Sequence, residues 1–346
     1  MKKNIFFAFA ALFAAVCTEA CTPMPSSVTN IGTAAQLVNI QGRLDGKFKL
    51  TQNITVSNWQ PLGNDANPFK GDLDGNGYQI TINSFADVST SGSSDFYGLF
   101  GYIEGGRVYN LKVKGPSAIL EKSSSKHIHF GGIAGCLNGG YIVQCSVDAG
   151  LYGRTTGSAT SSMVGGIVGS LLNYGVISNC YAVGGVGGSV GAGGTANVGG
   201  IAGAIVGTIR WCYATNEVAA GGPVNTSYKN VGGIVGFIGG VGPEHSVVRA
   251  GFAVNSSVAA LSAPLSNVHK IVGNIASPAF TDLTGNYGHS SLFVTGTNPN
   301  NNNGENNMHP YIDWFWEGQG WSSTVWDLTV LASSEYPKLK FPPVIW

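Results

Sequence analysis

Cys145, Cys180 and Cys212 recur at nearly equal spacing in a 346-residue chain that has only six cysteines. If they stack, two of them fall within the Cα span of a disulfide, and three leave one over unless Cys136 takes part. The competing reading is that each thiol is a small buried apolar residue filling one repeated position. A metal site would need mixed ligands at short spacing, and no histidine keeps register with these cysteines. Asp72-Leu73-Asp74-Gly75-Asn76-Gly77 opens like a calcium loop, but Asn83 stands where the bidentate Glu should close it. A tight turn, with Asp and Asn bonding local amides, is the favoured reading there. His127 and His129 flank Ile128 and could share a strand face, but with no third ligand a solvated strand edge is expected. These residues therefore point to no metal and no cofactor.

Carboxylates give the test for catalysis. Glycosidic bond cleavage needs two acidic groups converging, or a base beside carboxylates that hold calcium. Between Gly131 and Ala260 the acidic residues are Asp148, Glu217 and Glu244, and the bases Arg154, Arg210, Lys229 and Arg249 are equally scattered. No catalytic residue is expected. A carbohydrate-active enzyme, a polysaccharide lyase or glycosidase with a loop-borne site, is the alternative.

The elements that would position any site are set by repetition. Gly98-Leu99-Phe100-Gly101 returns as Gly132-Ile133-Ala134-Gly135, Gly166-Ile167-Val168-Gly169, Gly200-Ile201-Ala202-Gly203 and Gly233-Ile234-Val235-Gly236, in steps of 34, 34, 34 and 33. A weaker sixth copy is expected to begin at Gly273. About ten residues after each copy comes a β-branched and aromatic segment, such as Ile177 to Val183, and glycine-rich stretches such as Gly184 to Asn197 separate the copies. These segments have strand length and no 3.6-residue period, so the chain reads as all-β. A unit this short buries its apolar face only against copies of itself, which predicts a right-handed parallel β-helix with one repeat of about 34 residues per coil.

Stacking at ~4.8 Å turns equivalent positions into ladders. Leu111, Cys145, Cys180, Cys212 and Gly251 form one column. Lys112, Ser146, Tyr181, Tyr213 and Phe252 form the next, and Val113, Val147, Ala182, Ala214 and Ala253 a third. The small apolar columns are assigned inward and the mixed one outward. Asp148 then shares a column with Thr215 while Glu217 stands two further on, so no carboxylate pair meets. Tyr181, Tyr213 and Phe252 are expected to make an outward aromatic ladder, which serves either to bind a ligand or to stabilise the stack.

The glycine-bounded repeats, each followed by a segment like Ile177-Ser178-Asn179-Cys180-Tyr181-Ala182-Val183, resemble the GLUG-motif family of bacterial exported proteins. Asn58-Trp59-Gln60-Pro61-Leu62-Gly63-Asn64 and Pro68 to Ile80 are similar to the segment that precedes such repeats, and Trp326 with Tyr336-Pro337-Lys338-Leu339 is similar to the usual exit. The resemblance implies a β-helix over about residues 30 to 346. It also implies a cell-surface, adhesin-like role rather than an enzyme, and no His-Glu-x-x-His metalloprotease motif is present.

Composition agrees. There are 52 glycines, roughly twice the usual share, with 43% hydrophobic and only 10% charged residues, which excludes a disordered chain. Eighteen basic and eighteen acidic residues cancel, leaving no field for nucleic acid or an anionic membrane surface. Lys2 and Lys3 precede an apolar run from Ile5 to Val16, of secretory h-region length. Thr18-Glu19-Ala20-Cys21 resembles a bacterial lipoprotein signal that would lipidate Cys21, with simple cleavage after Ala20 as the other reading. The expected organisation is a signal peptide (1–20), a tether (21–29), an N-terminal cap and lead-in coils (30–97), the repeat β-helix (98–290), and an Asn-rich loop with an aromatic-rich C-terminal cap (291–346). Thr33 is expected to N-cap a short helical plug reaching Ile40. The expected protein is exported to the bacterial envelope, anchored in the outer membrane or at the cell surface, with periplasmic or secreted forms as alternatives. Its expected partners are a host or cell-surface protein or a neutral glycan.

Overall fold

The repeated glycines mark corners, and the coils close around them. A computed structural model describes residues 28–88, 92–122, 126–158, 160–223, 227–240, 245–261, 266–295, 299–300, 305–308, 313–333 and 335–341. The expected signal peptide, tether and Cys21 lie outside them. The chain is an all-β solenoid of about six turns with little helix. Three parallel sheets line its sides.

One coil shows the path. Ser161–Gly165 lies in the first sheet, Val168–Ser178 in the second, and Tyr181–Val183 with Gly185–Ser189 in the third, before Thr195–Gly199 re-enters the first sheet one layer on. The corner between the first two sheets is the Gly-x-x-Gly motif, and it needs glycine because backbone meets backbone there. A Cβ on Gly203 would stand 2.5 Å from the Val164 nitrogen and 2.7 Å from the Gly169 oxygen. The corner from the second sheet to the third turns on one left-handed residue per coil: Asn110 (φ 54°), Gln144 (52°), Asn179 (53°), Trp211 (50°) and Ala250 (51°). Asn tolerates this region, whereas Trp and Ala are held there at a local cost.

The expected register is observed. Ser146 pairs with Lys112 and Tyr181, Tyr181 with Tyr213, and Tyr213 with Phe252. Val147, Ala182, Ala214 and Ala253 point inward and are buried with Ile133, Ile167, Ile201 and Ile234 in one continuous core. Thr33 caps the helix Ala34–Val38 in a capping box with Gln36, and Leu37 and Ile40 are buried at the first coil.

Three expectations need correction. The glycine-rich stretch Gly184 to Asn197 is not merely a connection. It carries Gly185–Ser189 and the start of Thr195–Gly199, because a parallel neighbour on each side supplies backbone hydrogen bonds that need no side-chain propensity. The sixth copy does not begin at Gly273. Val272 pairs with Val235, so the copy is Lys270-Ile271-Val272-Gly273 with Gly273 as its closing glycine, and its Cβ would meet the Val231 nitrogen at 2.4 Å. Finally, Trp316, Trp321 and Trp326 do not plug the end of the stack. They lie along the outer side of the third sheet, against Tyr213 and Phe252, because the aromatic column there offers apolar area that the exposed sheet would otherwise present to water.

Candidate functional site

The aromatic ladder exists, and most of it is covered. Tyr181 and Tyr213 stack at 5.0 Å between centroids with planes 2° apart, and Phe252 stacks on Tyr287 at 5.5 Å. The C-terminal segment from Trp316 to Phe341 then runs back along these rings. Trp316 meets the Phe252 ring edge-on at 4.3 Å, and Trp321 lies 5.2 Å from it. Polar ties fix the segment at two adjacent coils. Trp211 Nε1 donates to the Gln319 carbonyl at 3.3 Å, Trp326 Nε1 to Asn179 Oδ1 at 3.1 Å, and the Tyr213 hydroxyl to the Pro337 carbonyl at 2.8 Å. Tyr213 and Phe252 are thereby only 3% and 0% exposed. The open three-ring face expected from the sequence is not formed, and Tyr181 alone of the three remains half-buried.

The residues quoted as an exit motif make this clasp. Trp326 pairs with Leu339 and Asp327 with Lys338 in a short antiparallel hairpin, Trp326–Asp327 against Lys338–Leu339. Beyond it, Phe341 lies against Gly77 and takes the Lys112 ammonium at 4.6 Å from its ring centroid.

Between the hairpin and the third sheet a cleft of about 490 Å³ remains, within the range usual for small-ligand sites. The coils contribute Gln79, Lys112, Ser146, Asp148, Tyr181 and Thr215 to it. The hairpin contributes Glu335, Tyr336 and Lys338, and Glu335 and Lys338 pair with one another. Of the three expected binding residues, Tyr181 and Tyr213 line it and Phe252 does not, and sequence reasoning assigned no binding role to the others. The one available signal was Ser146, a small residue in a column otherwise built of large side chains.

The other candidates are structural in arrangement. Cys136, Cys145, Cys180 and Cys212 are free and buried. The Cys145, Cys180 and Cys212 thiols each donate at 3.2 Å to the carbonyl two residues earlier, Val143, Ser178 and Arg210, just before the left-handed corner. Burial, with the neighbouring thiols adding to it, pushes the Cys180 thiol well up, and burial pushes Cys136 up to about 12. Such thiols are not nucleophiles. Asp72 makes a two-pronged ion pair with Arg107 at 2.7 Å. Asp74 Oδ1 accepts from the Asn76 amide and the Asn110 side chain. His127 Nδ1 accepts from the Ser161 amide, and His129 Nδ1 lies 2.8 Å from Ser170 Oγ. Burial, and secondarily the charge of His127, lowers His129 to about 3. Among the described residues no three His, Cys, Asp or Glu gather as metal ligands.

Fold and cleft thus define a β-solenoid whose aromatic ladder is clasped by its own C-terminal segment. A curated protein of Evansella cellulosilytica, called "Putative Gly-rich membrane protein", is 39% identical over 102 residues, 26% of this chain and 11% of that protein. The chain therefore spans about a ninth of that relative's length. No family model matches the chain, and no solved structure matches it. Among the described residues no helix is long and apolar enough to cross a membrane.

Proposed function

We propose that this chain is a noncatalytic exported bacterial protein of the GLUG-repeat kind, presenting a rigid β-helical surface that binds a protein or neutral glycan in adhesion. One observation carries the reading. The coils keep Asp148 and Glu217 in separate columns and leave Tyr181 half-buried at the edge of a cleft, so the coil surface is suited to recognition rather than acid-base work. The lysine-led apolar run before Cys21 supports export and a lipid anchor at the envelope, and the membrane-protein name of the partial relative is in keeping with it. In an adhesion assay, cells displaying the chain should bind host matrix or mucin above cells lacking it; equal binding ends this reading. Cys21→Ala should leave an exported protein that no longer enters the detergent phase, and unchanged partitioning would dismiss Cys21 as the anchor.

One observation favours the alternative of a carbohydrate-active enzyme. The hairpin brings Glu335 to the cleft that Asp148 also lines, so two carboxylates border one cavity. Release of reducing ends or unsaturated products from any polysaccharide by the purified chain, abolished by Glu335→Gln, would establish it.

A further inference from the structure

The outward column reads Gln79, Lys112, Ser146, Tyr181, Tyr213, Phe252 and Tyr287, one residue per coil. Six of the seven side chains are large. Ser146 is the exception. Tyr213 stacks on one face of the Tyr181 ring, and the register neighbour on its other side is Ser146, whose hydroxymethyl group cannot fill a ring-sized layer. Lys112 is the next rung beyond, and its ammonium is drawn away to the Phe341 ring. Two coil spacings, ~9.6 Å, thus separate the Lys112 and Tyr181 backbones, with only the small Ser146 side chain as the rung between them. The cleft of about 490 Å³ opens at this layer.

We propose that the missing rung is a saccharide site, in which one uncharged pyranose ring of an oligosaccharide stacks on the face of Tyr181 turned away from Tyr213, on the side of Ser146. The chemistry of the walls selects this class. The interior strands of a parallel sheet spend their amides and carbonyls on neighbouring coils, so a peptide finds no edge to extend and recognition falls to side chains. Those side chains offer an aromatic face for a ring's C–H surface, and Gln79, Ser146, Thr215 and Asp148 as partners for hydroxyl groups. Their charges balance, Lys112 and Lys338 against Asp148 and Glu335, so neither a polyanion nor a polycation is drawn in. The Tyr181–Tyr213 spacing of 5.0 Å shows the layer thickness that the solenoid imposes on a stacked ring.

This site rests on the reading that the chain binds rather than turns over, and the test separates the two. The full chain is titrated by calorimetry and NMR with neutral oligosaccharides, a set of α- and β-linked glucose, galactose and N-acetylglucosamine oligomers at millimolar concentration. Binding by at least one is expected. Ser146→Tyr should supply the missing rung, keep the solenoid's circular dichroism and melting, and weaken binding by about tenfold or more. Tyr181→Ala should weaken it similarly. Saccharide binding that survives both Ser146→Tyr and Tyr181→Ala overturns the site and leaves the binding function standing. Absence of binding to every neutral probe overturns the ligand class and the site with it. Cleavage of a bound probe overturns the noncatalytic reading instead.

Discussion

At the scale of single residues, the repeated glycines differ in what they tolerate. Gly203 sits where a Cβ would press on the Val164 nitrogen and the Gly169 oxygen, both backbone atoms that cannot swing aside. Gly203→Ala should destabilise the fold by ~3 kcal/mol, an overpacking cost at the upper end of the usual range. Gly42, with nothing within 4 Å of its would-be Cβ, is the contrast. Gly42→Ala should be neutral or stabilising by up to ~1 kcal/mol. Urea denaturation followed by circular dichroism checks the pair, and equal midpoints for the two variants would refute the corner argument. Asp74 makes a prediction in pH. Burial raises its pKa against the opposing help of the Asn76 amide, the Asn110 side chain and Lys49, and its Oδ2 has no hydrogen-bond partner among the described residues. A carboxyl whose folded pKa lies above its unfolded value of 3.8 binds its proton more tightly when folded. Its contribution is therefore most favourable below the unfolded pKa and is lost as pH rises from there through the raised folded value. Asp74→Asn should be at least as stable as wild type at neutral pH, with the difference vanishing in acid below the unfolded pKa. A variant that loses stability at pH 7 and regains none in acid would contradict the sign.

At the scale of elements, the C-terminal segment is the part whose placement changes the interpretation. Its tryptophans bury an aromatic column that would otherwise be an exposed apolar patch, and its polar ties reach Asn179 on one coil and Trp211 and Tyr213 on the next. Trp321 touches Tyr213, Phe252, Trp316 and Trp326 at once. Trp321→Ala should cost ~3–5 kcal/mol of the segment's docking and make it the first site of proteolysis, read by mass spectrometry of limited digests. A digest pattern identical to wild type would show that the clasp does not depend on this ring. Asn179 is legible in the sequence only as a polar residue before Cys180, yet it serves twice, holding φ 53° at the corner and accepting the Trp326 indole N–H.

At the scale of the whole molecule, one core runs unbroken from Ile31 to Leu292, and the thiols are sealed within it or beside it. Cys136, Cys145, Cys180 and Cys212 should be silent to Ellman's reagent at pH 8 in the folded chain and react fully on denaturation. Rapid labelling of any of the four without unfolding would mean that the coils breathe locally.

The period of 33 to 34 residues, the alternation of small and large columns and the turn-forming glycines determined the stacked solenoid and its register, because each is a local pattern that only identical neighbours can satisfy. Leu37 and Ile40 under the first coil, and the inward cysteines, were legible for the same reason. The fate of the outward aromatic column was not. Whether Tyr213 and Phe252 face solvent depends on where residues 316–341 come to lie, more than 60 positions away in sequence, and no periodicity links the two. The same docking brought Glu335, Tyr336 and Lys338 beside Ser146 and Tyr181 to enclose a cleft. Repeats propagate their own neighbours, so their contacts can be read from spacing. A terminal segment without repeats is placed by shape and apolar area alone, and only the tertiary structure decided it.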